Sequence, residues 1–250
     1  MSIARAALIC WLVLVAAAVG AAGPDTSLRP EPRPDRKAPA AVAPPQLSGD
    51  VRSVLRPVER PRSVIRRGRE AALLRERGAV CGNPDIQGES IGRVSSPTRG
   101  CGITEAVRVR SVSGISLSPA SVMDCRTAQT LNFWVLESAV PRLSDTGGGL
   151  RAMRVIGHYA CRTRNNRSGA RISEHGKGRA IDISGFRLRD GSELSVLKDW
   201  DSKRGFKPLK NMHRDACGIF GTVLGPDSDR FHQDHFHFDT ARHGSGAYCR

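Results

Sequence analysis

Two short stretches concentrate residues able to do metal chemistry. The run Ser173-Glu174-His175-Gly176-Lys177-Gly178-Arg179-Ala180-Ile181-Asp182 sets a histidine and an aspartate seven positions apart across two glycines. Those glycines disfavour a continuous helix. The spacing predicts His175 on a loop, with Gly178 turning the chain and Asp182 returning on the strand that follows. The second stretch is Asp234-His235-Phe236-His237-Phe238-Asp239. On a strand, residues two apart share a face, which puts His235, His237 and Asp239 on one side and drives Phe236 and Phe238 into the core. Imidazole and carboxylate together suit Zn2+, and three protein ligands leave a fourth position open to water, as in catalytic rather than structural zinc sites. Ser173 resembles a nucleophile, but two residues before a ligand it is better placed for a supporting hydrogen bond.

Holding these groups takes a sheet with helical buttresses. Residues 154–159 and 179–184 alternate as strands do, 186–196 reads as a hairpin turning at Asp190-Gly191, and 235–239 reads as a final strand. Ser118-Pro119 has the form of a helix start, after which Val122, Cys125, Ala128, Leu131 and Val135 recur at helical spacing until Pro141. A second helix is expected over 207–217. Strands and helices interleaved with hairpins imply an α+β domain on an antiparallel sheet with flanking helices.

Around this domain, residues 1–22 read as a secretory signal: Arg5 precedes an apolar run from Ala6 to Val19, and Gly20, Ala21 and Ala22 follow. The run is too short for a stable membrane span. Cys10 lies within it, leaving Cys81, Cys101, Cys125, Cys161, Cys217 and Cys249, an even set that on an exported chain reads as disulfide staples. Fifteen pairings are open; the expectation taken is Cys81 with Cys101, Cys125 with Cys161 and Cys217 with Cys249. Residues 23–76, crowded with Pro and Arg, read as a disordered tether in which Arg52-Ser53-Val54-Leu55-Arg56 recurs as Arg62-Ser63-Val64-Ile65-Arg66. The domain is expected over 77–250. A formal charge of +15 with pI ≈ 10.5 would ordinarily raise nucleic acid as a partner. Export to the periplasm or beyond argues instead for peptidoglycan or another anionic wall polymer.

The pattern of Ser173, His175, Gly178, Ala180 and Asp182, followed by His235-x-His237, resembles the zinc D-alanyl-D-alanine carboxypeptidases of the Hedgehog/DD-peptidase fold. The stretch from Cys101 to Cys249, with Tyr159-Ala160-Cys161-Arg162 and His232-x-x-Asp234-His235-Phe236-His237, is similar more closely to the bacterial extensin-like C-terminal domain family. The resemblance implies that His175, Asp182 and His237 bind zinc and that Arg162 polarises the scissile carbonyl or holds the substrate. Many relatives carry Glu three residues before the last zinc-binding His; here the shorter Asp234 stands there with His235 beside it, and either could be the general base. His232 is near enough to orient a ligand or the base, whereas His158, His213 and His243 read as structural. The implied activity is cleavage of peptidoglycan stems or cross-links. A wall-binding or assembly module that keeps the fold without cutting is the alternative, and an amidase or a peptidase for other proteins would use the same metal site.

Overall fold

The computed structural model describes residues 61–203 and 206–250; the expected signal peptide, Cys10 and the first copy of the basic repeat lie outside the described residues. Residues 62–76, expected as part of the tether, form helix α1 (Arg62–Glu76), consistent with the helix-forming Arg, Ala, Leu and Glu that fill it. Its first turns are exposed on all sides.

Ten strands then form one sheet: β1 (Ala79–Val80), β2 (Asn83–Val94), β3 (Ile103–Val112), β4 (Ile115–Asp124), β5 (Leu150–Gly157), β6 (Ala180–Leu188), β7 (Glu193–Ser195), β8 (Thr222–Leu224), β9 (Phe236–Asp239) and β10 (Tyr248–Cys249). Their order is β1-β2-β3-β4-β5-β6-β9-β8-β10, with β7 beside β6. The α+β class stands, but the sheet is mixed rather than antiparallel. β4 pairs parallel with β5 and β8 with β10, because helical and loop connections carry the chain back to the end it left. The hairpin at Asp190-Gly191 forms as expected, with Gly191 in the left-handed region at φ 87°.

The core helix begins later than Ser118-Pro119 predicted. Residues 115–124 are strand β4, whose Ile115, Leu117 and Met123 bury in period two, and Asp124 caps helix α2 (Cys125–Trp134) by accepting from the Thr127 N–H at 2.7 Å. Nor does Pro141 stop the run. A π-helical turn (Val135–Ala139) carries the helical backbone without a break into α3 (Val140–Leu143), and Pro141 is accommodated just after that wider turn. Helix α5 (Phe206–Asp215), after the single turn α4 (Val196–Asp199), matches the expected second helix. Trp134 on α2 packs edge-on to Phe238 at 5.0 Å and donates to the Met212 carbonyl on α5, so sheet and helices share one core. Among the described residues no helix is long and apolar enough to cross a membrane.

The disulfides join Cys81 to Cys125, Cys101 to Cys161 and Cys217 to Cys249. Only the third matches the expected pairing. Cys81 precedes β2 and Cys101 follows it, and the fold sets each against a different partner. Cys125, at the start of α2, instead sits over the β1–β2 turn, and Cys161 lies against the β2–β3 connection.

Candidate metal centre

The ligand geometry follows from register. In β6, Asp182 is the direct partner of His237 on β9 and of Gly157 on β5, so the carboxylate projects between the two neighbouring strands. Gly157 allows this approach, because a Cβ there would run into the Asp182 carboxylate. His175 comes from a 3-10 turn (Glu174–Lys177) ahead of β6. Ser173 caps that turn, its Oγ accepting from the His175 N–H at 3.4 Å. Gly178 ends it at φ 68°, with no room for a side chain against Ile103. The expected loop, turn and returning strand are all present.

The three side chains converge. His175 Nε2 lies 3.1 Å from Asp182 Oδ1 and 3.2 Å from His237 Nδ1, and His237 Nδ1 lies 2.8 Å from Asp182 Oδ1. All three residues are buried. The outward nitrogens are already engaged: His175 Nδ1–H donates to the His158 carbonyl at 2.8 Å, and His237 Nε2–H to Asp239 Oδ2 at 3.2 Å. The two rings thereby present Nε2 and Nδ1, respectively, to the centre. Two imidazole lone pairs and a carboxylate within 4.8 Å of one another are a donor set able to hold a metal ion.

Electrostatics point the same way. Burial alone would raise the Asp182 pKa, but hydrogen bonds from His175 and His237 and their charges hold it well below the usual carboxylate range. Burial alone would lower His237, yet its bonds to Asp182 and Asp239 and the charges of both carboxylates lift it to about 9. Without a metal, a proton on Nδ1 answers these carboxylates; a divalent cation competes for the same lone pair. The residues therefore fit zinc: nitrogen and oxygen donors, the right number, and rings held in place by the His158 carbonyl and Asp239.

The centre forms the floor of an open cleft of about 520 Å3. His235 lines it, its Nε2 3.7 Å from Asp182 Oδ1 and its Nδ1 2.7 Å from Asp234 Oδ1. Asp234 is turned outward onto a separate groove. Strand β9 becomes regular only at Phe236, yet His235 still faces the centre while Phe236 and Phe238 enter the core. Arg162 lines the same cleft, and its carbonyl accepts from the Ser173 N–H at 2.9 Å. His232 sits at the cleft wall, its Nδ1 2.7 Å from Asp229 Oδ1; burial, the largest influence, lowers its pKa. Asp239, expected on the same strand face as His237 but given no role of its own, orients that ring, whereas nothing in the sequence marked Asp229 or Gly157.

A mixed α+β domain, stapled by disulfides and holding a buried His-Asp-His cluster at the floor of an open cleft, is the class that fold and site define. The chain belongs to the family described as extensin-like protein C-terminus, whose model matches residues 85–250. No curated protein and no solved structure matches it.

Proposed function

We propose that this chain is an exported zinc-dependent peptidase acting on the peptide stems or cross-links of peptidoglycan. The observation that carries the reading is the convergence of His175 Nε2, Asp182 Oδ1 and His237 Nδ1 beneath an open cleft, with the opposite nitrogen of each ring already bonded. Zinc held by these three residues supplies a Lewis acid that acidifies water and polarises a carbonyl. Asp234 accepts from His235 Nδ1–H, which leaves Nε2 facing the floor as the base that takes a proton from the attacking water. The same nitrogen then returns the proton to the departing amine, completing addition of water across the peptide bond. Arg162 engages substrate from the cleft wall with a permanent charge and a fixed fork of donors. Three disulfides and the basic charge are consistent with a wall polymer as target outside a reducing compartment.

One observation favours the second reading, a wall-binding module that does not cut. Asp234, at the position where the resemblance to the carboxypeptidases implies a general-base Glu, does not line the cleft. Zinc content and hydrolysis together separate the readings. The peptidase binds one zinc per chain and loses both zinc and activity in His175→Ala. A module that retains zinc and wall binding with no product in the unaltered protein would replace it.

A further inference from the structure

Helix α1 carries a pattern that its own domain does not use. It starts at Pro61, whose carbonyl accepts from the Val64 and Ile65 N–H groups at 2.8 and 3.2 Å. It ends where Gly78 turns the chain at φ 81°, and the Gly78 carbonyl accepts from the Gly88 N–H of β2 at 2.8 Å. That bond ties its C-terminal end to the sheet, while residues 62–70 are all exposed. A helix with so little tertiary packing is ordinarily polar all round. This one is not. At 3.6 residues per turn, Val64, Ile65, Gly68, Ala71 and Ala72 fall within one arc about 120° wide, and Val64 and Ile65 are each 40% exposed. Leu73 lies off that arc.

Arg67 and Arg69 flank the apolar arc on either side, with Arg62 and Arg66 behind it. From Arg62 to Arg77 the sequence sets six arginines against two glutamates, a net +4. Their pairing is weak: Arg66 and Glu70 stand 3.9 Å apart with side chains 76% and 62% exposed. The first turn holds no acidic residue, so Arg62, Arg66 and Arg67 crowd the positive end of the helix dipole, an arrangement that an anionic surface relieves. Ten residues earlier, Arg52-Ser53-Val54-Leu55-Arg56 repeats the same alternation of charge and aliphatic pair. Charge alone suits any polyanion. The aliphatic pair decides between them, because a hydrated wall polymer gives Val64 and Ile65 nothing to bury against. A bilayer gives the flanking guanidinium groups headgroup phosphates and gives the aliphatic side chains the acyl boundary beneath.

We propose that α1 is a surface-binding helix that lies in the headgroup layer of an anionic phospholipid bilayer, with Val64 and Ile65 inward and Arg67 and Arg69 on the phosphates. This stands independently of the peptidase reading. Helix α1 joins the sheet at β1, at the far end of the strand order from β6, β9 and β8, so docking there does not engage the strands that build the metal centre.

Co-sedimentation of the exported, oxidised chain, after removal of residues 1–22, tests this. The probes are vesicles of phosphatidylglycerol and phosphatidylcholine in equal parts, vesicles of phosphatidylcholine alone, and purified wall polymer. At about 0.1 M salt the anionic vesicles are expected to bind about ten-fold or more tighter than the neutral ones. Arg67→Gln with Arg69→Gln should weaken that binding about ten-fold or more, and Val64→Ser with Ile65→Ser about five-fold or more. Both pairs are exposed, so urea midpoints should stay unchanged in either variant. Equal binding to the two kinds of vesicle, binding to neither, or affinity undiminished in either variant would overturn the proposal. Wall polymer held through Arg67 and Arg69, with the anionic vesicles left unbound, would put a hydrated polyanion in place of the bilayer.

Discussion

His237 turns to the centre whichever nitrogen Asp239 leaves free. Because Asp239 accepts from Nε2, the lone pair on Nδ1 meets Asp182, and the ring is held in one orientation by partners on both sides. Asp239→Asn keeps the shape but removes the charge, and zinc affinity is expected to fall about 10- to 100-fold, as measured by competition with a chromophoric chelator. His213 gives a different prediction. It is wedged against Trp200 and Phe236, and burial lowers its pKa despite the Leu224 backbone bond and the Asp227 charge that oppose the shift. Its folded value lies below the ordinary 6.5, so the unfolded chain takes up the proton first as pH falls. Its contribution to stability is complete above about pH 6.5 and is lost progressively below it. Urea midpoints should therefore fall as the pH drops below about 6.5, and the His213 ring resonances should titrate at a lower pH in the folded protein than in the unfolded chain.

At the scale of elements, β6 does most of the positioning. Gly157 on its β5 side leaves the space that Asp182 fills, and His237 on its β9 side supplies the neighbouring ligand. Gly157→Ala is expected to displace the carboxylate, weakening zinc binding by about ten-fold or more and costing roughly 1–3 kcal/mol in a denaturation curve. The alternation of histidine and phenylalanine from His235 to Asp239 and the paired glycines after His175 made this arrangement legible before any coordinates, because period two and left-handed turns are local rules. What lay beyond the sequence depends on distant partners. The strand β2 carries Pro84, Gly88 and Gly92 and shifts register against β3, so it shows little alternation to read. Val122, Cys125 and Ala128 kept helical spacing across the junction of β4 and α2, which hid the cap at Asp124. The pairing of Cys81 with Cys125 depends on α2 lying over the β1–β2 turn, a tertiary fact that spacing does not encode.

Across the whole molecule, the staples and the charge set the conditions under which the centre exists. The bond between Cys101 and Cys161 spans 60 residues and ties down the wall that carries Arg162. Chain entropy alone gives such a closure about 4 kcal/mol. Replacing both cysteines by alanine is expected to cost about 2–5 kcal/mol, which at this size lowers the melting temperature by roughly 5–20 °C in calorimetry. Under the proposed function, the net charge of +15 is expected to add an attraction to anionic wall polymer that salt weakens by screening. Sedimentation with purified wall should show binding that falls as salt rises from about 0.05 to about 0.5 M. The central claim is narrower than either effect: the His175, Asp182 and His237 centre hydrolyses a bond. Mass spectrometry of purified peptidoglycan, after incubation with the oxidised protein, with chelator added, and with His237→Ala, tests it most directly. New peptide termini that appear only with the intact, metal-loaded protein are the predicted result; no new termini from a folded protein holding zinc, or termini that persist in His237→Ala, would contradict it.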